Sequence, residues 1–458
     1  NPKNYSLKGW SNMLRRFLLA LIFMTPAVIE AANADKVWTL DECIRYAEEH
    51  NINIQKQALS MSQEELFLRD GRWAFVPTVL VSSIHTVSTG RVLDPTTYQF
   101  EQTNLTGNNS SSISSEITIF EGGQKIHVLN KAKLSLRAAI LKDESVRFNL
   151  RLNVTAAYMD VLYSKEQVFI ATLSASIIEA QVARLEILHN VGRITESDIL
   201  QLRSQLFAVQ NDIAMANRAL QLARLSLCDL LEIDDYRSFE VAEPDFRGMI
   251  EADIDLDAAI DNHPDYRLAI LNQEISTINL KIAKSSLYPR ISLSAGYGSS
   301  FSDARRKSIV EQNGSVRYEP YTFLQQYKDN ASAYISIGLS VPILTGMTMN
   351  NSVKRARIAT VEAEYAAITM RKQLRKKILQ AQIDCDTARD KYLCAQEEAC
   401  YAQEAQRQID YKYNLGTIDY LTWYAAVVEL SKARYSLAEA KYTYYLKSEY
   451  LKTVVSSL

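Results

Sequence analysis

Two stretches in the second half of the chain alternate between apolar and small polar residues. Apolar residues occupy every second position over Ile291–Tyr297 and again over Ala333–Ile343. A period of two predicts β-strands with one apolar and one polar face, and about 9–11 residues is the length of a transmembrane β-strand. The first half shows the same trend less cleanly. We therefore predict strands at about 78–90, 110–121, 290–301 and 332–344.

Helical patterns surround these strands. The predicted helices cover about 41–76, 124–189 and 196–231 in the first half and about 256–288, 348–413 and 418–453 in the second. Apolar residues fall on strict sevens, interrupted at Thr155, which is typical of a coiled-coil seam. The series in the middle helix of the first half is Leu134, Leu141, Phe148, Leu162 and Phe169, and Trp423 and Leu430 are also seven residues apart. At about 1.5 Å per residue, each middle helix would be about 100 Å long.

The order of elements occurs twice. Residues 120–123 resemble residues 344–347, and residues 189–192 resemble residues 413–416, each pair 224 positions apart. The sequence thus predicts a first structural repeat over 35–232, an acidic linker over 233–255 and a second repeat over 256–458. A tight turn with Gly192 or Gly416 separates the last two helices of each repeat.

The N-terminal segment is typical of a secretory leader. Arg15 and Arg16 precede an apolar run over 17–29, and Ala32-Asn33-Ala34 supplies small residues at cleavage-site spacing. We predict a leader over 1–34. Because no later run approaches 18 consecutive apolar residues, we expect no transmembrane helix, so that the exported chain is either soluble or a β-barrel.

Composition and motifs argue against other classes. The 458 residues carry a formal net charge of −2, which gives no reason to expect a nucleic-acid partner, since such a partner would need a basic face. The five Cys and five His residues form no metal-binding motif, and the sequence lacks GxSxG, P-loop, HExxH and GxGxxG patterns. We expect no catalytic residues, metal or cofactor.

Four strands are too few to close a barrel, since the smallest have about eight. An open sheet in lipid would leave backbone groups unpaired. If the strands span a membrane, several chains must share one barrel, and three chains would give twelve strands, an even number. The predicted fold is therefore mainly α with a small β-barrel part, in which the helices continue the cylinder below the membrane for about 100 Å. Such a conduit needs no catalytic site.

This duplicated order of elements resembles the TolC-like outer-membrane efflux protein family. Residues 120–123 and 341–346 are similar to that family's strand-to-helix junctions, and residues 191–200 and 415–421 to its helical tip turns. The resemblance covers essentially the whole mature chain. It implies a homotrimer with a twelve-stranded outer-membrane β-barrel that is continued by a periplasmic α-helical barrel. The protein would then have a large periplasmic part and act as an exit duct for an efflux or secretion system. Its implied partners are outer-membrane lipid, a periplasmic adaptor (membrane fusion) protein and an inner-membrane pump of resistance-nodulation-division or ABC type.

The resemblance also assigns roles at the tip turns. Because the family's adaptor contacts these turns, it implies adaptor docking at Val191, Gly192, Thr195, Leu415 and Gly416. Gly192 and Gly416 are equally compatible with a purely structural role as turn formers.

The family closes its periplasmic end with polar links between neighbouring tip helices. Tyr413 and Asp198 match one linked pair. The arginine of another link is replaced here by Ile418, which implies a different gate with a contribution from Asp419. The alternative for Tyr413 and Asp198 is that both are simply solvated.

One other function stays open at this point. An exported coiled-coil structural or interaction protein without a pore would explain the heptads, but not the strands that recur at a fixed offset.

Overall fold

The computed structural model describes residues 37–93, 100–192, 194–244, 255–312 and 314–455. The predicted leader and linker positions 245–254 lie outside these ranges. The helices are α1 (Leu40–His50), α2 (Ile52–Trp73), α3 (Gln124–Asn190), α4 (Glu196–Leu231), α5 (Leu256–Asn262), α6 (Pro264–Ser285), α7 (Phe323–Asp329), α8 (Thr348–Asn414) and α9 (Tyr420–Val455). The strands are β1 (Val37–Trp38), β2 (Thr78–Leu93), β3 (Phe100–Glu121), β4 (Glu240–Val241), β5 (Arg290–Ser302), β6 (Arg306–Val310), β7 (Val316–Pro320) and β8 (Ser332–Ser340).

The first predicted helix of each repeat is in fact two helices. Asn51 ends α1 with extended backbone (φ −61°, ψ 128°), and its side-chain amide donates to the Leu230 carbonyl at 3.0 Å. His263 separates α5 from α6 in the same conformation (φ −62°, ψ 129°), because the residue before Pro264 is disfavoured in the helical region. The uninterrupted helices predicted at 41–76 and 256–288 are therefore wrong at these two positions.

The chain packs into two compact units, and each draws on both sequence repeats. One contains described residues in 37–51, 150–244 and 384–450, and the other contains those in 52–149, 255–383 and 451–455.

The second unit contains a four-stranded antiparallel sheet in the order β2-β3-β5-β8. Its register separates the two faces. Val81 lies opposite Ile113, which lies opposite Tyr297, whereas Ser112 on the other face lies opposite Ser82 and Gly298. The apolar face is exposed in the single chain, with Val79, Val81, Ile113, Ile335, Ile337 and Leu339 all open to its surroundings.

The first unit contains a short parallel pair formed by β1 and β4. The Tyr158 hydroxyl of α3 lies 2.6 Å from the Ala242 carbonyl and 3.0 Å from the Trp38 carbonyl. Burial raises the pKa of Tyr158 above its usual value, so the phenol remains a neutral donor. Trp38 also stacks on Phe239 at 5.6 Å between ring centroids. This contact joins the start of the described chain to the segment after α4.

By length and composition alone, α3 is apolar enough to cross a membrane, and no other described helix meets the same criteria. The expectation of no such helix considered only consecutive apolar residues, whereas α3 reaches this apolarity with polar residues interspersed. A single helix of this kind is weak evidence for a membrane span, because core helices of soluble proteins pass the same test.

Candidate docking and gating tips

The first tip turn (residues 190–195) joins α3 to α4. Gly192 has φ +74°, a left-handed conformation that side chains other than glycine rarely adopt, and its N–H donates to the His189 carbonyl at 2.8 Å. Val191 is 65% exposed, and Thr195 is also exposed immediately before α4. The turn therefore presents an apolar side chain outward while its glycine reverses the chain.

The second tip turn (residues 414–419) joins α8 to α9 in the same way. Gly416 also has φ +74°. Its N–H donates to the Tyr413 carbonyl at 3.0 Å, and the Thr417 N–H donates to the Lys412 carbonyl at 3.1 Å. These two bonds form a Schellman motif, which satisfies the last carbonyls of α8. Leu415 is 61% exposed, matching Val191 in the first turn.

An aliphatic cluster supports the first turn. Ile178, Val182 and Leu185 of α3 are buried against Ile199 and Leu202 of α4. Tyr420 and Tyr424 of α9 pack against this cluster. Burial raises the pKa of both tyrosines, so they stay neutral there.

The three predicted gate residues lie in different surroundings. Tyr413 is half-buried; its hydroxyl accepts a hydrogen bond from the Gln181 side chain at 2.6 Å, and the Arg184 guanidinium lies over its ring at 5.6 Å. Asp419 is exposed and caps α9, with the Thr422 N–H donating to its carboxylate at 3.1 Å. The hydrogen bond from the Thr422 hydroxyl is the main cause that lowers the pKa of Asp419. Asp198 belongs to the first turn of α4, and its side chain lies outside the described residues.

Sequence reasoning missed a polar network at the second tip. The Trp423 indole N–H donates to the Asp410 carboxylate, which also accepts from Gln406 at 2.6 Å. The Tyr420 hydroxyl donates to the Gln205 side-chain oxygen of α4. The heptad spacing places Trp423 in the helical seam. Because a buried indole N–H needs a hydrogen-bond partner, this position could have indicated that an acceptor lies nearby.

No cluster of His, Cys, Asp or Glu that could hold a metal ion occurs in the part of the chain that the structure describes. The five cysteines are free thiols; Cys394 and Cys400 are exposed.

Comparison with known proteins decides the family. The sequence matches the outer membrane efflux protein family over residues 44–231 and 256–456. The chain belongs to this family. Membership places the protein in the outer membrane with a periplasmic part, and it confirms the TolC-like resemblance inferred from the residues.

Two curated relatives of the family are similar to this chain. The pyoverdine export outer membrane protein OpmQ of Pseudomonas putida is 24% identical over 344 residues, which cover 75% of this chain and 62% of OpmQ. The outer membrane protein TolC of Vibrio cholerae is 20% identical over 342 residues, which cover 72% of this chain and 73% of TolC.

Solved structures confirm the fold class. CusC superposes with a TM-score of 0.77 at 16% identity, covering 91% of both chains. The CmeC outer membrane channel of Campylobacter jejuni superposes with a TM-score of 0.78 at 14% identity, covering 91% of this chain and 85% of CmeC. The family and these neighbours are channel proteins rather than enzymes.

Proposed function

We propose that the protein is the outer-membrane exit duct of a tripartite efflux system, and that three copies close one twelve-stranded barrel. The observation that carries this proposal is the four-stranded sheet. Its outer strands, β2 and β8, each have one edge without a partner among the described strands. In lipid, unpaired backbone N–H and C=O groups cost several kcal/mol each, so a sheet in the outer membrane needs its edges closed.

A second copy can supply the missing partner. Antiparallel pairing of β2 in one copy with β8 in the next would satisfy both edges and keep the apolar faces continuous. Val81 on β2 and Ile337 on β8 share the apolar face, while Ser82 and Ser336 share the polar face. The ring would then present apolar residues to lipid and hydroxyls to a lumen. A conduit of this kind needs no catalytic residue.

The tip turns are the proposed docking site for a periplasmic adaptor, which links the duct to an inner-membrane pump of resistance-nodulation-division or ABC type. Their paired exposed apolar residues, Val191 and Leu415, support this role, because a partner would remove both from water. Gly192, Thr195 and Gly416 shape the same surfaces. We propose that Tyr413, Asp198 and Asp419 take part in the periplasmic gate, with Tyr413 held from within its own chain by Gln181.

Cysteine crosslinking between copies tests the shared barrel. In a Cys394→Ser, Cys400→Ser background, Ser82→Cys on β2 is combined in turn with Ser332→Cys, Ser336→Cys or Ser340→Cys on β8. Oxidation in outer membranes should give covalent dimers and trimers for at least one pair. Ser112→Cys on β3 is the matched control, because β3 is flanked by β2 and β5. Failure of the whole β8 series, or equal products with Ser112→Cys, would contradict the shared barrel.

Charge insertion at the tips tests adaptor docking. A Val191→Asp, Leu415→Asp variant should let cells retain an effluxed dye as a deletion strain does, with normal amounts of protein in the outer membrane. Gln210→Asp adds one such charge at an exposed position of α4 away from the turn and should leave efflux unchanged. Normal efflux by the double variant would remove the tips as the docking site.

A further inference from the structure

The short helix α7 lies on the same sheet face as the apolar band. The apolar face runs along the strands from the row in which Leu339 lies opposite Ile291 to the row in which Ile113 lies opposite Tyr297. Its next two rows are polar or aromatic: Ser111 lies opposite Ser299, and Asn109 opposite Phe301. The apolar band therefore ends at Tyr297, and aromatic residues mark its upper border as they do at membrane interfaces.

Contacts with these upper rows fix α7 in place. The Phe323 ring lies 5.1 Å from the Phe301 ring, the Ser299 hydroxyl donates to the Tyr327 carbonyl at 2.7 Å, and the hydroxyls of Tyr327 and Ser111 are 2.8 Å apart. Since Ser111, Ser299 and Phe301 all belong to the apolar-band face, α7 packs on that face and not on the polar face.

Gln326 secures the helix to the strand backbone. Its fully buried amide donates to the carbonyls of Ser302 at 2.9 Å and Tyr321 at 2.8 Å, and its side-chain oxygen accepts from the Ser302 N–H at 3.0 Å. All three bonds depend on one orientation of the amide, so α7 is held as a part of the sheet's upper border.

The surface that α7 turns away from the sheet suits a lipid interface. Leu324 is 78% exposed, Phe323 is 47% exposed, and the exposed Lys328 follows Leu324 by one helical turn. An apolar side chain beside a lysine is the combination found where acyl chains meet anionic headgroups, because the lysine reaches the phosphates while its stem stays in apolar surroundings.

We propose that α7 is an interfacial anchor that contacts the outer leaflet, with Leu324 and Phe323 at the acyl boundary and Lys328 at the headgroup phosphates. The inference rests on the proposed barrel, because only then does the apolar band face lipid. The lipid contact of the band would thus continue onto α7.

Depth-resolved fluorescence quenching tests the anchor. The Cys394→Ser, Cys400→Ser protein carries a fluorophore at Leu324→Cys, Ile337→Cys or Ser336→Cys and is reconstituted in phosphatidylcholine–phosphatidylglycerol vesicles. The vesicles contain lipids with a spin label at a shallow or a deep acyl position. Ile337 and Ser336 are adjacent on β8 and point to opposite faces, so they serve as lipid and water references.

The anchor predicts that the shallow label quenches position 324 about twofold more than the deep label, as an interfacial position requires. Aqueous iodide should quench position 324 less than position 336. Two results would overturn the anchor. In the first, iodide quenches the fluorophore at position 324 as strongly as the one at position 336. In the second, neither the spin-labelled lipids nor iodide quench the fluorophore at position 324, which would mean that protein covers α7. If position 337 is not quenched by lipid either, the barrel fails as well, so the two failures are distinguishable.

Discussion

The two tip turns reverse the chain in the same backbone conformation, but different chemistry holds the helices beside them. Val182 and Ile199 belong to the aliphatic cluster at the first tip. The residues 224 positions later are Gln406 and Trp423, which converge on Asp410 through hydrogen bonds. The first tip is thus stabilised mainly by apolar burial, and the second by directional bonds.

This difference shows how a duplicated chain can keep its path while its contacts diverge. An aliphatic cluster tolerates small shifts, because the hydrophobic effect has no preferred direction. A hydrogen-bonded network has few good arrangements and leaves a polar group unsatisfied when one member is lost. The two tips should therefore respond differently to substitution.

The largest expected effect is at the first tip. Leu202 is fully buried in the aliphatic cluster, and Leu202→Ala should destabilise the protein by about 2–5 kcal/mol through lost burial and the cavity left behind. Thermal unfolding in detergent, followed by circular dichroism, measures the change. Leu200→Ala, at an exposed position of the same helix, should stay within about 0.5 kcal/mol of the parent protein. Equal losses for both variants would remove the cluster as the support of this tip.

The strand-to-helix junctions give the next largest contrast between the repeats. Gly122 and Gly346 are equivalent and have φ +62° and +57°. A Cβ on Gly122 would lie 2.7 Å from the Ser285 carbonyl oxygen, whereas one on Gly346 would meet no atom within 4 Å. Gly122→Ala should therefore cost about 1–3 kcal/mol more than Gly346→Ala, because only the first adds overpacking to the backbone strain. Unfolding temperatures of the two variants measure this difference, and equal values would contradict it.

The third effect tests the polar network at the second tip. Trp423→Phe keeps an aromatic ring at this position but removes the indole N–H from Asp410, which should cost about 1–3 kcal/mol. Adding Asp410→Leu should recover part of that loss, since the carboxylate oxygen that accepted the indole N–H is then removed as well. A double-mutant cycle by thermal unfolding measures the coupling. Simple additivity of the two losses would mean that the bond contributes nothing.

The smallest expected effect is a pH dependence of stability at the second helix break, where His263 can take up a proton, whereas Asn51 at the first break cannot. His263 accepts the Asp265 N–H through Nδ1 at 3.2 Å, and burial lowers its pKa, with Lys377 acting in the same direction and Asp265 opposing it. The folded protein thus binds this proton less well than the unfolded chain does. The stabilisation that neutral His263 gives the folded protein is therefore complete above the usual histidine pKa of about 6.5, and it is lost as the pH falls below that value.

Replacing His263 with Asn, the residue at the first break, should remove this pH dependence. Unfolding temperatures of the parent and the His263→Asn variant, measured from neutral to mildly acidic pH, should converge as the pH falls. Parallel curves would show that His263 titrates alike in both states.

Local patterns made much of this architecture predictable. Alternation over Ala333–Ile343 predicted a strand that the structure ends at Ser340, and glycine at a turn predicted the positive φ of Gly192 and Gly416. Pro264 indicates a helix break at the residue before it, but the helical periodicity on both sides of Pro264 favoured one continuous helix. Asn51 has no comparable local signal, because its partner lies 179 residues away.

The helical seam was only partly predictable. A strict series of sevens placed Phe169 in the seam, but Phe169 is exposed. Buried positions near the tip end of α3 instead follow Ala171, Ala175, Ile178, Val182 and Leu185, with alternating spacings of four and three. An α-helix drifts by about 20° per heptad against a series of sevens, so the buried face moves to neighbouring positions over a long helix.

Contacts between distant segments could not be read from the sequence. The segment between the strands predicted at 290–301 and 332–344 contains the β6–β7 hairpin and α7, and the position of α7 depends on the buried Gln326. Likewise, Tyr413 was matched to Asp198 through the family, whereas its hydroxyl bonds Gln181, 232 residues earlier in the chain. Polar residues of this kind have many possible partners, and only the fold selects one.

The most direct test of the shared barrel is the native mass of protein extracted from purified outer membranes in mild detergent, measured by light scattering with the detergent contribution subtracted. A shared twelve-stranded barrel predicts three chains per particle. A monomer or dimer, or recovery of the protein from the soluble periplasmic fraction, would contradict it.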